Sequence, residues 1–587
     1  MAKEYLFILQ LEKNNNDKPM KHYRILYLAT CMVALLLGAC RESQPAHIQL
    51  VCTSDVHGNL MPHNFLTGEP AQGSLARVSS YLKEQRERGV QVLYIDNGDM
   101  LQGTPATYCY NTYAIGTTHV AAEALNLLGC EAVVLGNNDI ETGGPTYQRY
   151  DGGLEGMVLG GNIMYRGSDR PFFAPYTIIE RGGLKIAILG LTTPAIPHWV
   201  PPCQWPELEF IDMERAAQRW MQHLRENADP DIVVGLFHSG YEGGITTEHY
   251  VENATRAVAE RVPGFDAIFY GHDHRMRTTE VINVEGDTVL LLNPGKDAHN
   301  VATLDIVRNK EGGVSLHAAL ADMDAYEPAP EYMEAMAPHA TYITEYVERT
   351  IGTSTQAAYT RDALFGPSAY TDLIHQMQLN ASGAKISFAA PLVYDGVLPE
   401  GDIQVRDIYR LFPYENTLYM LWLTGHEIKR YLEYSYALWS AQMGSPNSSL
   451  LLFDATGKDL QHPYNHFDSA AGIRYDVDVT KPAGHKVTIH GMADGKPFSM
   501  DERYLVAMNS YRAHGGGGLL THGAGLTHEE MLERIEYTTS ADLRFYMLNY
   551  IEMRKNIAPK PLGHWRFVPE RWAVAAAKRD STRLFGE

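Results

Sequence analysis

Short apolar runs in the first half of the chain end, one after another, in residues able to bind metal ions. Asp55 and His57 follow HIQLVCTS, Asp99 closes VQVLYIDNGD, Asn137 stands in VVLGNN, His238 ends IVVGLFH, and His272 and His274 follow FDAIFYG. Carboxylate, amide oxygen and imidazole are hard or borderline donors that suit Zn, Mn, Fe, Co or Mg, and the lack of thiolate among them argues against a structural zinc cage. Seven groups are too many for one ion. They suit two divalent ions sharing a bridging carboxylate, an arrangement that, at roughly 3.5–4 Å separation, clamps the attacking and leaving oxygens of a phosphoryl displacement. One such ending alone reads as a turn cap or a hydrogen-bonded histidine, whereas five in one region point to a site.

The elements that must position these groups are legible as well. Each run is strand-like, and between the runs lie stretches such as SLARVSSYLKEQRERG and DMERAAQRWMQHLREN, with apolar residues at helical spacing and charged faces. Strand, loop and helix repeated in this way predict a layered α/β domain, in which loops at the carboxyl ends of strands converge on one crevice. Residues 326–350 open with two prolines and continue as a helix-prone segment, predicting a boundary and a connecting helix on which a second domain can swing. From residue 351 to the end a further set of apolar runs, AKISFAAPL, NTLYMLWLTG, GIRYDVDV and RYLVAMNSY, predicts that second domain.

The chain is 587 residues long with 49 basic and 70 acidic side chains, a formal charge of -21, and 45% hydrophobic residues. At roughly 150 residues per domain this is about two to four globular domains. The acidic excess repels phosphate backbones, so a nucleic-acid polymer is excluded as a partner, and a phosphate substrate requires a local reversal of the field. After Met20, KHYR and the apolar run ILYLATCMVALLLGA lead to Cys40, the pattern of a secretory signal over residues 1–39 with its start at Met20. The run is too short to span a bilayer comfortably. Its end, Leu37, Gly38, Ala39 and Cys40, resembles a bacterial lipobox; that resemblance implies export to the cell envelope and membrane anchoring through a lipidated Cys40, in the periplasm or at the outer membrane. A plain signal peptide cleaved nearby is the alternative. The remaining cysteines, Cys52, Cys109, Cys130 and Cys203, form no metal or redox motif, although some could pair in an oxidising envelope.

The blocks DVHGN, GD, GNN, H and GHDH over residues 47–300 resemble the calcineurin-like binuclear metallophosphoesterases. GPSAYTDLIHQMQL, ISFAAPL, VRDIYRLFPYENTLYMLWLTGHEIKRYLE and NSYRAHGGGG are similar to the carboxyl-terminal domain of the 5'-nucleotidase family, most of all its 2',3'-cyclic-nucleotide 2'-phosphodiesterase/3'-nucleotidase branch. The resemblance implies a layered αββα metallophosphoesterase domain (40–325) joined by the helix to an α+β substrate-binding domain (351–587). It implies that Asp55, His57, Asp99 and His274 hold one ion and Asp99, Asn137, His238 and His272 the other, generating a hydroxide nucleophile from a metal-held water. It also implies that the base lies between two aromatic rings, Tyr511 and either Tyr464 or Phe467, with glycines 515–518 allowing close backbone approach.

One motif departs from the family. Its GNH histidine, which stabilises the transition state or protonates the leaving oxygen, is Asn138 here, and Glu141 is a candidate for the carboxylate that would hold it. An amide can donate a hydrogen bond but is no acid. The expected activity is hydrolysis of 2',3'-cyclic nucleotides and 3'-nucleotides; a 5'-nucleotidase and a nucleotide-binding pseudoenzyme are the alternatives.

Overall fold

The computed structural model describes residues 46–586. The leader, Met20 and Cys40 therefore lie outside the described residues. No described helix is long and apolar enough to cross a membrane.

Two six-stranded sheets form the centre of the first domain. One runs in the order Val314–Asp322, Asn300–Arg308, Ala46–Thr53, Gln91–Asp96, Cys130–Val134, Met157–Leu159; the other in the order Arg277–Ile282, Thr288–Asn293, Ala267–Tyr270, Ile232–His238, Leu184–Thr192, Tyr176–Arg181. They pack face to face because Ile48, Leu50, Cys52, Leu93 and Ile95 on one meet Ile186, Ile188, Val234, Leu236 and Phe269 on the other, all buried. The opposite faces are covered by helices. Leu75–Glu87 and Val120–Leu128 pack on the first sheet, Met213–Asn227 and Thr255–Arg261 on the second. Burial on both faces explains why the strands read as nearly continuous apolar runs. The layered αββα reading is met.

The central strands Ala46–Thr53, Gln91–Asp96 and Cys130–Val134 are parallel, as are Leu184–Thr192, Ile232–His238 and Ala267–Tyr270, so the carboxyl ends of each set open on the same edge. The helix Pro330–Glu348 follows and packs against Pro105–Thr112 of the first domain and Val405–Leu411 of the second. The second domain centres on a five-stranded sheet in the order Ser469–Ala471, Ile386–Ala389, Arg503–Asn509, Thr417–Thr424, Ile535–Asp542. Its helix Gly425–Trp439 starts at a capping box: Glu427 N–H donates to Thr424 Oγ1 at 3.2 Å, and Thr424 N–H donates to Glu427 Oε2 at 2.7 Å. Contacts between the domains include a hydrogen bond from Tyr108 Oη to Asp542 Oδ1 (2.7 Å) and one from Gln204 Nε2 to the Ser540 carbonyl (2.9 Å). All four described cysteines are free thiols, so none of them pairs.

Candidate metal centre and the aromatic pocket

The turns that follow the parallel strands are unusually tight. Asp55, His57, Asp99, His272 and His274 all have positive φ, between 51° and 70°. Non-glycine residues pay on the order of 1–2 kcal/mol for that conformation, and here it bends the chain back so that successive side chains face one point. Glycine provides the remaining room. A Cβ on Gly136 would stand 2.1 Å from Asp99 Oδ1 and 2.7 Å from the His238 ring, and one on Gly271 would stand 1.9 Å from Ser54 Oγ and 2.5 Å from Asp55 Oδ2.

The result is two groups of ligands. Asp55, His57 and His274 offer atoms all within 4.8 Å of one another, and so do Asp99, His238 and His272. His57 Nε2 lies 3.1 Å from His274 Nε2, and His274 Nε2 lies 3.4 Å from Asp55 Oδ1. Asn137 Oδ1 and His238 Nε2 are buried without a hydrogen-bond partner; His238 Nε2 is 3.3 Å from Asp99 Oδ2 but misaligned for a hydrogen bond. Two orphaned buried atoms are what a missing ligand-bound group would satisfy. The structure thus brings together six of the seven predicted metal-binding residues in two sets, and places Asn137 beside Gly136, whose Cα abuts Asp99 and His238.

Neighbouring groups fix the rings. His57 Nδ1 faces the Gln102 carbonyl at 3.1 Å and His238 Nδ1 the Asn97 carbonyl at 2.7 Å, which leaves each Nε2 lone pair toward the cluster. His272 is reversed: its Nε2 contacts Glu252 Oε1 at 3.1 Å, leaving Nδ1. Asn97 Nδ2 donates to the Phe237 carbonyl at 2.9 Å, pinning one sheet to the other beneath the site. Burial alone would raise the Asp99 carboxyl, but the His238 imidazole beside it holds it well below the ordinary carboxylate range. His238 responds in kind: burial would lower it, and Asp99 pushes it up to about 10. A buried carboxylate kept ionised beside imidazole nitrogens is a donor arrangement that favours a divalent cation. The donor set fits the two predicted ions.

Asn138 and Glu141 share the helix Asn137–Glu141 but have different partners. Asn138 Nδ2 donates to Asp99 Oδ2 at 2.7 Å and its backbone N–H to Asp99 Oδ1 at 2.9 Å, so its amide serves the shared carboxylate. The nearby carboxylate that organises this loop is Asp139, which accepts from the N–H groups of Asp99, Met100, Leu101 and Gly136. Glu141 instead lines a cavity of about 270 Å³ between the domains, with Gln102, Tyr108, Glu415, Thr417 and Asp542, where burial pushes its carboxyl up to about 7.

In the second domain Tyr511 lines a pocket of about 190 Å³ with Leu392, Tyr414, Asn416, Asn465 and Asn509. Two of the expected ring positions are corrected. Phe467 is 1% exposed and stacks on Trp439 in the core, with centroids 5.5 Å apart and planes 6° from parallel. Tyr464 is half-buried, packs against Tyr394 at 5.4 Å and does not line the pocket. The second exposed ring is Tyr414, 47% exposed against 45% for Tyr511. Tyr414 is not among the rings expected from the sequence; its place in the proline-led segment PYEN is the signal that points to it.

The amino-terminal part matches the family of calcineurin-like phosphoesterases over residues 48–276, and residues 350–522 match the 5'-nucleotidase C-terminal domain. The chain is 25% identical to the 2',3'-cyclic-nucleotide 2'-phosphodiesterase/3'-nucleotidase of Haemophilus influenzae, spanning 89% of this chain and 87% of that protein. It is 24% identical to the protein of that name in Salmonella typhimurium, over 84% of this chain and 85% of that protein. Among solved structures the 5'-nucleotidase precursor of Thermus thermophilus (TM-score 0.55, 23% identity, 89% of this chain and 100% of that one) shares the fold. So does the NAD nucleotidase of Haemophilus influenzae (TM-score 0.57, 19% identity, 89% and 99%). With a calcineurin-like phosphoesterase domain followed by a 5'-nucleotidase C-terminal domain, the chain belongs to the 5'-nucleotidase family of metallophosphoesterases.

Proposed function

We propose that the protein is an exported, metal-dependent phosphoesterase that hydrolyses 2',3'-cyclic nucleotides and 3'-nucleotides. The observation that carries this reading is the pairing of two strand-end ligand sets, with orphaned Asn137 Oδ1 and His238 Nε2, with a tyrosine-walled pocket in the second domain. The names of the relatives that match over most of the chain support the substrate class. The same reading includes a lipoprotein leader over 1–39, a metal-binding domain over 40–325, a connecting helix over 326–350 and a nucleotide-binding domain over 351–587.

Asp55, His57, Asp99 and His274 would hold one divalent ion and Asp99, Asn137, His238 and His272 the second. When bound, such ions polarise phosphoryl oxygens and lower the pKa of water toward neutrality. The remaining work falls to the chain. Gln102 and Asn97 carbonyls hold His57 and His238 in one tautomer. Tyr414 and Tyr511 offer π-faces to a base, a contact worth roughly 1–3 kcal/mol and tolerant of base identity.

Asn138 favours a second reading. Its amide is occupied by Asp99 and carries no transferable proton, and lack of general-acid help costs a poor leaving group such as a ribose alkoxide roughly 10²–10⁴ in rate. A nucleotide-binding protein of negligible turnover is the result if nothing else supplies the proton. The deciding assay offers 2',3'-cyclic AMP, 3'-AMP and 5'-AMP side by side to metal-loaded mature protein and measures phosphate and nucleoside release. Turnover of the first two supports the proposal, preference for 5'-AMP overturns its substrate assignment, and binding of both metals without turnover establishes the second reading.

A further inference from the structure

Behind the tyrosine pocket lies a fully buried ion pair. Arg512, 2% exposed, donates through Nε to Asp468 Oδ2 at 3.0 Å and through Nη2 to Asp468 Oδ1 at 2.8 Å, a bidentate fork. Asp468 is 1% exposed and is secured in turn by the Tyr431 hydroxyl. The guanidinium has donors to spare, and they reach the walls of the pocket. Nη2 also donates to the Asn465 carbonyl, and Nη1 donates to the Gly516 carbonyl at 2.9 Å. The Arg512 backbone N–H donates to Asn509 Oδ1 at 2.8 Å. Of the pocket's three asparagines, Asn465 is thus held by the guanidinium, whereas Asn509 is held by the Arg512 backbone.

The third contact concerns the ring. A Cβ on Gly516 would lie 2.5 Å from Tyr511 Cε2, so the glycine turn that Arg512 grips is pressed directly against the Tyr511 ring. A Cβ on Gly517 would lie 2.6 Å from Arg512 Nη1 and 3.2 Å from the His466 ring. Tyr511 Oη and His466 Nε2 stand 3.3 Å apart, which completes the bracket around the exposed tyrosine.

We infer that the Arg512–Asp468 pair is a positioning device for the pocket: it sets the orientation of Tyr511 and of the Asn465 backbone, and thereby the affinity for the base, without touching substrate. This rests on the nucleotide reading above. A lysine carries the charge but not the planar fork, so it keeps the pair while losing the grip on Asn465 and Gly516. Breaking a buried pair by removing one partner strands a charge, whereas replacing both with apolar side chains removes the penalty. The double variant R512M/D468L is thus the folded test.

The experiment measures adenosine binding by calorimetry and steady-state kinetics on 2',3'-cyclic AMP and on base-free bis(4-nitrophenyl) phosphate, for wild type, R512K and R512M/D468L, with thermal melts as the check of folding. The expected result is adenosine affinity weakened roughly tenfold or more, at the scale of one lost base stack. The ratio of kcat/KM for the cyclic nucleotide to that for the ester should fall in step, through KM rather than kcat, with R512K in between. A folded double variant that binds adenosine as wild type does, or that loses both substrates in equal proportion, overturns the inference. Wild-type protein that cleaves the ester but takes no adenosine overturns the nucleotide reading itself, and the assignment of the pair with it.

Discussion

The metal-binding edge of the first domain and the tyrosine pocket of the second are built by different means. At the edge the backbone does the positioning: five candidate ligands sit in left-handed turns, glycines at 136 and 271 admit no side chain, and the carbonyls of Gln102 and Asn97 fix two imidazoles. In the pocket Tyr414 stands in a loop and Tyr511 on the one-turn helix Ser510–Ala513, and a side-chain ion pair lies behind the glycine turn that abuts the Tyr511 ring. A backbone-built site is intolerant of any change in geometry. A side-chain-built one can be retuned residue by residue, which is where variation in base preference would be accommodated.

The sharpest way to break this contrast is to disturb the edge without touching a ligand. Gly136→Ala leaves all seven groups in place yet drives a methyl into Asp99 and His238. Losing metal stabilisation worth several kcal/mol, it should lower turnover by on the order of 10³-fold, with the loss of bound metal read by elemental analysis. Asp99→Asn should do the same. If Gly136→Ala retains both ions and full activity, the edge is not built by its backbone. Next in size is Asn138→His, which should raise turnover of 2',3'-cyclic AMP by about 10²-fold, the lower end of general-acid contributions, without changing metal content. No gain would mean that the proton comes from elsewhere.

In the pocket the effects should be smaller and confined to binding. Tyr414→Ala and Tyr511→Ala should each raise KM for cyclic nucleotide by roughly 10-fold or more through the lost stack, whereas Tyr464→Ala should leave KM where it is. Phe467→Ala belongs to a different class. It empties a core site against Trp439 and should cost about 3–5 kcal/mol of stability in a urea titration, with little specific effect on KM in whatever fraction stays folded.

The same contrast explains what was legible in the sequence. The layered first domain and the convergence of its candidate ligands were readable because each of these residues is within a few positions of an apolar strand whose end fixes its place. The pocket was not, because an aromatic residue in a polar stretch reads the same whether it faces solvent or the core: Phe467 turned inward onto Trp439, and Tyr414, three residues before a strand, stayed out. The use to which Asn138 is put, capping Asp99 from both backbone and side chain, depends on a turn geometry that its identity alone does not reveal. Non-local pairings were invisible for a simpler reason. Arg512 meets Asp468 44 residues away, and Tyr108 meets Asp542 434 residues away.

One such pairing joins the two regions. His198, on the short helix Ile196–Trp199 beside the metal edge, stacks on His528 of the second domain with centroids 3.8 Å apart and planes 9° from parallel, and His514, three residues from Tyr511, packs edge-on against Tyr419 nearby. Burial lowers the pKa of all three, with His514 brought down to about 4, the proximity of His198 and His528 adding to the effect. Glu252 is the group that opposes this at His198. For His514 the sign follows from linkage: the folded pKa lies below the unfolded value of 6.5, so the unfolded chain binds more protons between these limits and stability rises with pH across that window. The contribution is complete above pH 6.5 and is lost as pH falls toward 4, amounting to about 3 kcal/mol in all and about 2 kcal/mol by pH 5. Urea midpoints at pH 7.5 and pH 5, taken with chelator present so that ligand protonation at the metal edge is common to every sample, should fall less in His514→Gln than in wild type. Equal falls would remove His514 from the acid response and leave it to other buried groups, such as His119 and His375, that burial also holds below their ordinary value.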